Sequence, residues 1–205
     1  MISKKPFIVL EGVEGSGKST QSLLLSERLS LEGIDNLLVR EPGSTNTGEK
    51  IRNLILQATE LNPLSELFLF SAARSELIQN EILPALKSGL VVVCDRYTYS
   101  SIAYQGYAKG LDPNVISKIN SIATERLDPN LVFLLDIEPK LSFGRKISDS
   151  MDRFEKESTE FHNQVRKGYL SLAKSNPRIW NIMDGQKPKK EIQELIWQKV
   201  SNIIA

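Results

Sequence analysis

The sequence predicts an α/β protein built on a doubly wound, five-stranded parallel sheet with helices on both faces. Three observations carry this. Five short apolar runs recur along the chain, at residues 6–10, 36–40, 90–94, 131–135 and 179–183. The central ones are continuous rather than alternating, which marks strands covered on both faces and hence a parallel sheet. Longer stretches bearing helix caps and stops lie between them, so the order is βαβα throughout. Right-handed crossovers then place helices on both sides.

Each element has its own signal. A helix is expected from Ser19 to Leu31, closed by Gly33. Asn62-Pro63 opens another, as N-cap and first-turn proline, and Ser88-Gly89 ends it. Asp112-Pro113 starts a further helix, and Asp128-Pro129-Asn130 forms the turn into the fourth strand. Residues 97–106, rich in hydroxyls and ending in an amide and a glycine, read as the start of a helix. Pro139 begins another, which the polar stretch 143–153 interrupts.

Bulk composition fits one domain spanning residues 1–205. Hydrophobic content is 40% and charged content 25%, and 26 basic residues face 25 acidic ones. So balanced a chain is not built to coat nucleic acid or a membrane surface. Cys94 is the single cysteine, which excludes an internal disulfide and suits a reducing compartment. No apolar stretch approaches the ~20 residues of a membrane span. The five-residue run near the start is too short for a signal-peptide core. The expectation is a cytoplasmic protein.

Residues 12–19 read G-x-x-x-x-G-K-S: Gly12, Val13, Glu14, Gly15, Ser16, Gly17, Lys18 and Ser19. They sit between an apolar run and a helix, as a phosphate-cradling P-loop requires. Glycines let successive N–H groups turn inward, and the helix N-terminus adds partial positive charge. Lys18 should reach the outer phosphates of a nucleotide, and the Ser19 hydroxyl should bind Mg²⁺.

An acid follows each of the five runs: Glu11, Glu41, Asp95, Asp136 and Asp184. In an open parallel sheet ligands bind beyond the carboxyl ends of the strands, so these acids would line the same edge as the P-loop. For Asp136 and Asp184 a plain preference of acids for helix starts explains the position equally well. Asp95 is distinguished by Arg96 beside it: the aspartate can hold a metal-bound water and the arginine can fork onto a phosphate. A fixed arginine there suits an enzyme that holds an acceptor in line with the donor. Phe70 and Arg74 lie four residues apart on one helix face, where a ring could stack on a base beside a guanidinium. Taken alone, the pair fits a core phenylalanine with a snorkelling arginine better.

Together, in order, these segments resemble the thymidylate kinases. The matching stretches are residues 9–15, Arg40-Glu41-Pro42-Gly43, 70–74, Asp95-Arg96-Tyr97, Ser100, 103–106 and 152–155. The resemblance implies a P-loop nucleoside monophosphate kinase fold with a small lid, and phosphorylation of dTMP to dTDP by ATP and Mg²⁺ in dTTP biosynthesis. It implies that Phe70 stacks on thymine, Arg74 bonds its O4, and Ser100 and Gln105 satisfy the remaining base edge. Tyr104 would crowd the 2′ position of the sugar and Glu14 would accept its 3′-OH. Arg52 and Arg96 would clamp the acceptor phosphate, with Glu41-Pro42-Gly43 shaping that wall. Lys18, Arg96, Arg145 and Asp95 would serve catalysis, with Ser19 and Asp95 as the metal residues. A homodimer is implied as well, with the apolar faces around Leu64, Phe68, Ile116 and Ile119 available for it.

The family places a basic residue either in the P-loop or in the lid, and the free P-loop positions here carry none. The resemblance therefore implies the bacterial style, in which the lid at 143–153 supplies the arginine: Arg145, with Arg153 second and Lys146 also present. Ser44 departs from the family, which usually has a second glycine there. His162 reads as a solvated helical residue, Cys94 as a buried strand residue, and Trp180 and Trp197 as core or subunit-contact residues. The Asp184-Gly185-Gln186 loop would adjoin the adenine site by the same resemblance. The competing reading is another P-loop nucleoside or nucleotide kinase with a different acceptor.

Overall fold

The computed structural model describes residues 5–143 and 153–204, the side chain of Phe143 excepted. Five parallel strands form one sheet: β1 (Phe7–Glu11), β2 (Asn36–Arg40), β3 (Val91–Asp95), β4 (Leu131–Asp136) and β5 (Trp180–Asp184). Their spatial order is β2-β3-β1-β4-β5. All five coincide with the expected runs to within a residue. At the centre, Ile8 of β1 lies opposite Val93 of β3 and Leu131 of β4. The chain therefore leaves β1 toward one side of the sheet and later builds on the other, and the crevice at that switch point is where a ligand fits.

Alternation along β1 sorts its side chains into two cores. Phe7 and Val9 join one, with residues of α2 (Asn46–Gln57), α3 (Pro63–Leu77), α4 (Leu83–Lys87) and α8 (Thr159–Ser175). Ile8 and Leu10 join the other, beneath α1 (Lys18–Leu31) and α9 (Lys189–Ile204). Both faces are covered, which is why the central strands carry no polar alternation.

The caps act as the sequence implies. Asn62 accepts from the Leu64 amide ahead of Pro63. Asp112 does the same for Asn114 at the start of α6 (Pro113–Ala123). Asn130 clips the turn before β4 onto β1, its side chain accepting from the Phe7 amide at 2.7 Å and its own amide donating to the Phe7 carbonyl at 2.8 Å. Helix α7 (Pro139–Phe143) begins at Pro139 as expected; the interruption expected at 143–153 falls almost wholly outside the described residues.

Two stretches depart from the expected regular helices. The first is a π-helical turn, Ile78–Ile82, that separates α3 from α4 within the helix opened by Asn62-Pro63. The second, residues 97–106, does not begin a regular α-helix: a single turn, α5 (Thr98–Ser101), passes into a π-helical segment, Ile102–Ala108. The wider turn carries an extra residue, and it brings Ala103, Tyr104, Gln105 and Gly106 inward together. Such segments recur at functional sites.

Candidate active site

The P-loop leaves β1 and curls under the N-terminus of α1. At Gly12 (φ +152°) a Cβ would lie 2.8 Å from the Leu135 carbonyl, and at Gly15 (φ +71°) one would lie 2.5 Å from the Ser142 carbonyl. Neither position admits a side chain. Helix α1 has no side-chain cap and no acid in its first turn, whereas Thr45, Asn62, Asp112 and Ser158 cap α2, α3, α6 and α8. Its first amides therefore remain for an anion, with the helix dipole behind them. Lys18 is buried, its Nζ donating to the Val13 carbonyl at 3.2 Å. Burial and the neighbouring Arg96 charge lower its pKa to about 8 against the pull of Asp95, Glu14 and Glu11.

Strand β3 delivers Asp95 alongside. The Ser19 hydroxyl donates to Asp95 Oδ2, and Asp95 Oδ1 is buried with no hydrogen-bond partner among the described residues. Arg96 then turns through a left-handed backbone (φ +73°). That conformation costs a non-glycine residue roughly 1–2 kcal/mol, and here it swings the guanidinium back over the P-loop. Arg96 donates to the Gly12 carbonyl at 3.0 Å, Glu14 at 2.8 Å, the Tyr169 hydroxyl at 3.0 Å, and Ser100 and Tyr104 at 3.3 Å. Burial alone would raise the Glu14 carboxyl; Arg96, Lys18 and the Tyr104 hydroxyl hold it below the usual range instead. Tyr104 reaches both Glu14 oxygens, at 2.7 and 2.6 Å.

Facing the P-loop, α3 and the π-helical segment form the second wall of one cavity of about 510 Å³. Glu14, Lys18, Ser19, Arg52, Phe70, Arg74, Asp95, Arg96, Ser100, Tyr104 and Gln105 all line it. Of the other expected residues, Gly15 and Gly17 line it too, whereas Gly12, Val13 and Ser16 do not, Val13 and Ser16 being buried, and Arg145 lies outside the described residues. Arg74 is almost wholly buried, donating through Nε to Glu41 at 2.8 Å and through Nη1 to Asn120 at 2.7 Å. Nη2 reaches Ser101 Oγ at 3.2 Å and the Tyr97 carbonyl at 3.4 Å. Those four bonds leave one of a guanidinium's five N–H groups, on Nη1, for a ligand. Burial pushes the Glu41 carboxyl up to about 7 despite Arg74. Arg52 donates to the Pro42 carbonyl at 3.1 Å.

The row of acids at the sheet edge divides by role. Glu11 is buried, accepting from the Tyr97 amide, Ser100 and Tyr169 at 2.8–2.9 Å. Asp136 grips Arg166 at 2.6 and 2.9 Å, and Asp184 closes its own turn onto the Gln186 amide. It is Asp95 that meets the P-loop serine.

Several residues were read differently from sequence. His162 is not solvated: it is fully buried, with Nδ1 3.6 Å from Glu14 Oε2. Polar neighbours in sequence point outward while α8 turns His162 inward. Arg153 ion-pairs with Glu66, so its charge is engaged at the base wall. Ser44 adopts φ +64°, where glycine would be unstrained, and its hydroxyl accepts from the Arg40 amide at 2.9 Å. Cys94 and Trp180 are buried as expected, and Trp197 packs under Arg28 at 4.5 Å. Sequence reasoning missed Glu66, Asn120 and Tyr169, whose partners lie far along the chain.

A phosphate loop and a base-sized polar wall facing each other across one cavity, on a 2-3-1-4-5 parallel sheet, define a P-loop nucleotide kinase. A family model described as thymidylate kinase matches residues 10–196. A thymidylate kinase of Caldanaerobacter subterraneus is 40% identical over 97% of this chain and 96% of its own. One of Dehalococcoides mccartyi is 44% identical over 97% of each. The solved thymidylate kinase of Ehrlichia chaffeensis superposes with a TM-score of 0.80 at 31% identity, covering 96% of this chain and 98% of its own. The chain belongs to the thymidylate kinase family.

Proposed function

We propose that this enzyme transfers the γ-phosphate of ATP to dTMP, giving ADP and dTDP, with Mg²⁺, as a step toward dTTP. The observation that carries the reading is the shared cavity: the P-loop forms one wall, and Phe70, Arg74 and Gln105 form the other. A donor phosphate and an acceptor base can be held at once.

The residues present suit magnesium. Ser19 and Asp95 offer hard oxygens side by side, and Asp95 Oδ1 has no hydrogen-bond partner among the described residues. When bound, the ion neutralises charge on the outer phosphates. Lys18 and the α1 amides hold those phosphates from the opposite side, and Arg145 would add lid charge. No general base is required, because a phosphate monoester has its second pKa near 6 and is largely dianionic at neutral pH. What remains is alignment and charge neutralisation. Arg96 and Arg52 hold the acceptor phosphate. Arg96 already bonds Glu14, so an arriving phosphate replaces that carboxylate and releases it toward the 3′-OH. Phe70 stacks on the base, the remaining Arg74 N–H donates to O4, and Ser100 and Gln105 complete the base edge. Tyr104 lies beneath the sugar.

The reading takes residues 1–205 as one kinase domain with a lid at 143–153, acting in the cytoplasm. The free, buried thiol of Cys94 is at home in a reducing compartment. Leu64 and Phe68 of α3 and Val115 and Ile122 of α6 are 39–80% exposed and supply the dimer face. Ile116 is buried in the protomer and Ile119 half-buried. ADP release measured with dTMP, dUMP, dCMP, AMP and thymidine tests the assignment. dTMP should be the preferred acceptor, and turnover of thymidine in place of dTMP would refute it.

A further inference from the structure

We propose that Glu66 is a positioning residue for base selection: its carboxylate sets the orientation of the Gln105 amide, and through it the preference for a pyrimidine carrying hydrogen on N3. This rests on the reading of the cavity as a dTMP site.

Glu66 stands in the first turn of α3, where acids usually face water, yet it is fully buried. Three donors converge on it. Gln105 Nε2 reaches Oε1 at 2.8 Å, Lys109 Nζ lies 2.9 Å from both oxygens, and Arg153 Nη2 bonds Oε2. The two ends of a glutamine amide are nearly equal in shape and opposite in polarity, so an amide alone in a pocket can present either. An ionised carboxylate only accepts. Gln105 must therefore turn its NH₂ toward Glu66. The side chain lines the cavity, so its carbonyl oxygen is the end left for a ligand.

A fixed acceptor at that point suits the N3–H of thymine or uracil. Cytosine offers a lone pair at N3, and two acceptors would face each other. Arg74 supplies the complementary fixed polarity, a donor held by Glu41 and Asn120, which suits O4 and not the cytosine amino group. Lys109 and Arg153 set two positive charges against a carboxylate placed out of water. Both also lie against the Phe154 ring, at 5.3 and 4.8 Å. That ring is 6.1 Å from the Phe70 ring, so the network also braces the stacking surface.

The test compares wild type with Glu66→Gln, an isosteric change whose amide lets Gln105 take either orientation. Since a neutral amide at that position leaves two half-buried cations less well balanced, Glu66→Gln/Lys109→Met is measured in parallel to keep a folded variant available. kcat and KM are determined for dTMP, dUMP and dCMP, and KM for ATP. The inference predicts a fall of about tenfold in the dTMP-to-dCMP ratio of kcat/KM, the size of one mispaired buried hydrogen bond. KM for dTMP should carry most of the change, while the dTMP-to-dUMP ratio and KM for ATP hold. A folded variant with unchanged KM for dTMP and an unchanged dCMP ratio would overturn it. Wild-type enzyme inactive on dTMP would instead sink the functional reading beneath, and this inference with it.

Discussion

The two walls of the cavity are made in different ways. The phosphate wall is main chain: a short contiguous loop whose Gly12 and Gly15 admit no Cβ and a helix end left uncapped. The base wall is side chain: Arg74 fixed by Glu41, Asn120 and Ser101, and Gln105 fixed by Glu66, each partner from a distant part of the chain. A polyanion needs N–H groups and positive charge in a given shape, which backbone supplies at little cost in specificity. A base edge needs donors and acceptors of defined polarity. Only side chains locked by second partners can provide that.

If the division holds, Lys18→Ala should damage chemistry and spare the fold. Loss of one preorganised cation at the transferring phosphate should lower kcat by about 10²–10³-fold or more. Its Nζ bonds only the Val13 carbonyl among the described residues, so the thermal midpoint should stay within a few degrees. Steady-state kinetics with a melting curve would show it, and a collapsed midpoint would blur the comparison. Glu41→Ala should do the reverse. It strands a buried guanidinium, and breaking such a pair costs about 3–5 kcal/mol. Denaturant unfolding should register that loss together with a raised KM for dTMP. A stability change under about 1 kcal/mol, the net worth of one ordinary hydrogen bond, would mean Arg74 is held by its other partners. Phe70→Ala, finally, should weaken acceptor binding by about 1–3 kcal/mol, the usual worth of base stacking on a ring, with KM for ATP unmoved. An unaltered KM for dTMP would remove stacking from the account.

The same contrast governs what the sequence discloses. The P-loop is contiguous, so its glycines, Lys18 and Ser19 are readable in one window, and Asp95-Arg96 adds itself as the end of a buried strand. Strand positions were legible because covered parallel strands carry an unbroken apolar run. The base wall was legible only in part. Phe70 and Arg74 share a helix face, but α3 buries Glu66 while leaving Phe68 half-exposed, the opposite of what hydropathy suggests. Glu66 is buried because Gln105, Lys109 and Arg153 meet it, and no local pattern announces partners about 40 to 90 residues away. His162 was missed for the same reason, since its neighbour Glu14 lies in the P-loop. The π-helical turn at Ile102–Ala108 likewise follows from which residues are drawn inward, and helix propensity carries no sign of it.

Arg96 touches both constructions, bonding the Gly12 carbonyl and Glu14 on one side and Ser100 and Tyr104 on the other. Calorimetric binding of dTMP, thymidine and dCMP to wild type and to Arg96→Ala therefore tests the central claim most directly. With the two walls acting separately, the advantage of dTMP over thymidine should shrink sharply in Arg96→Ala, to what Arg52 alone sustains, while the advantage of dTMP over dCMP should persist. Loss of the base preference with the phosphate preference intact would contradict it.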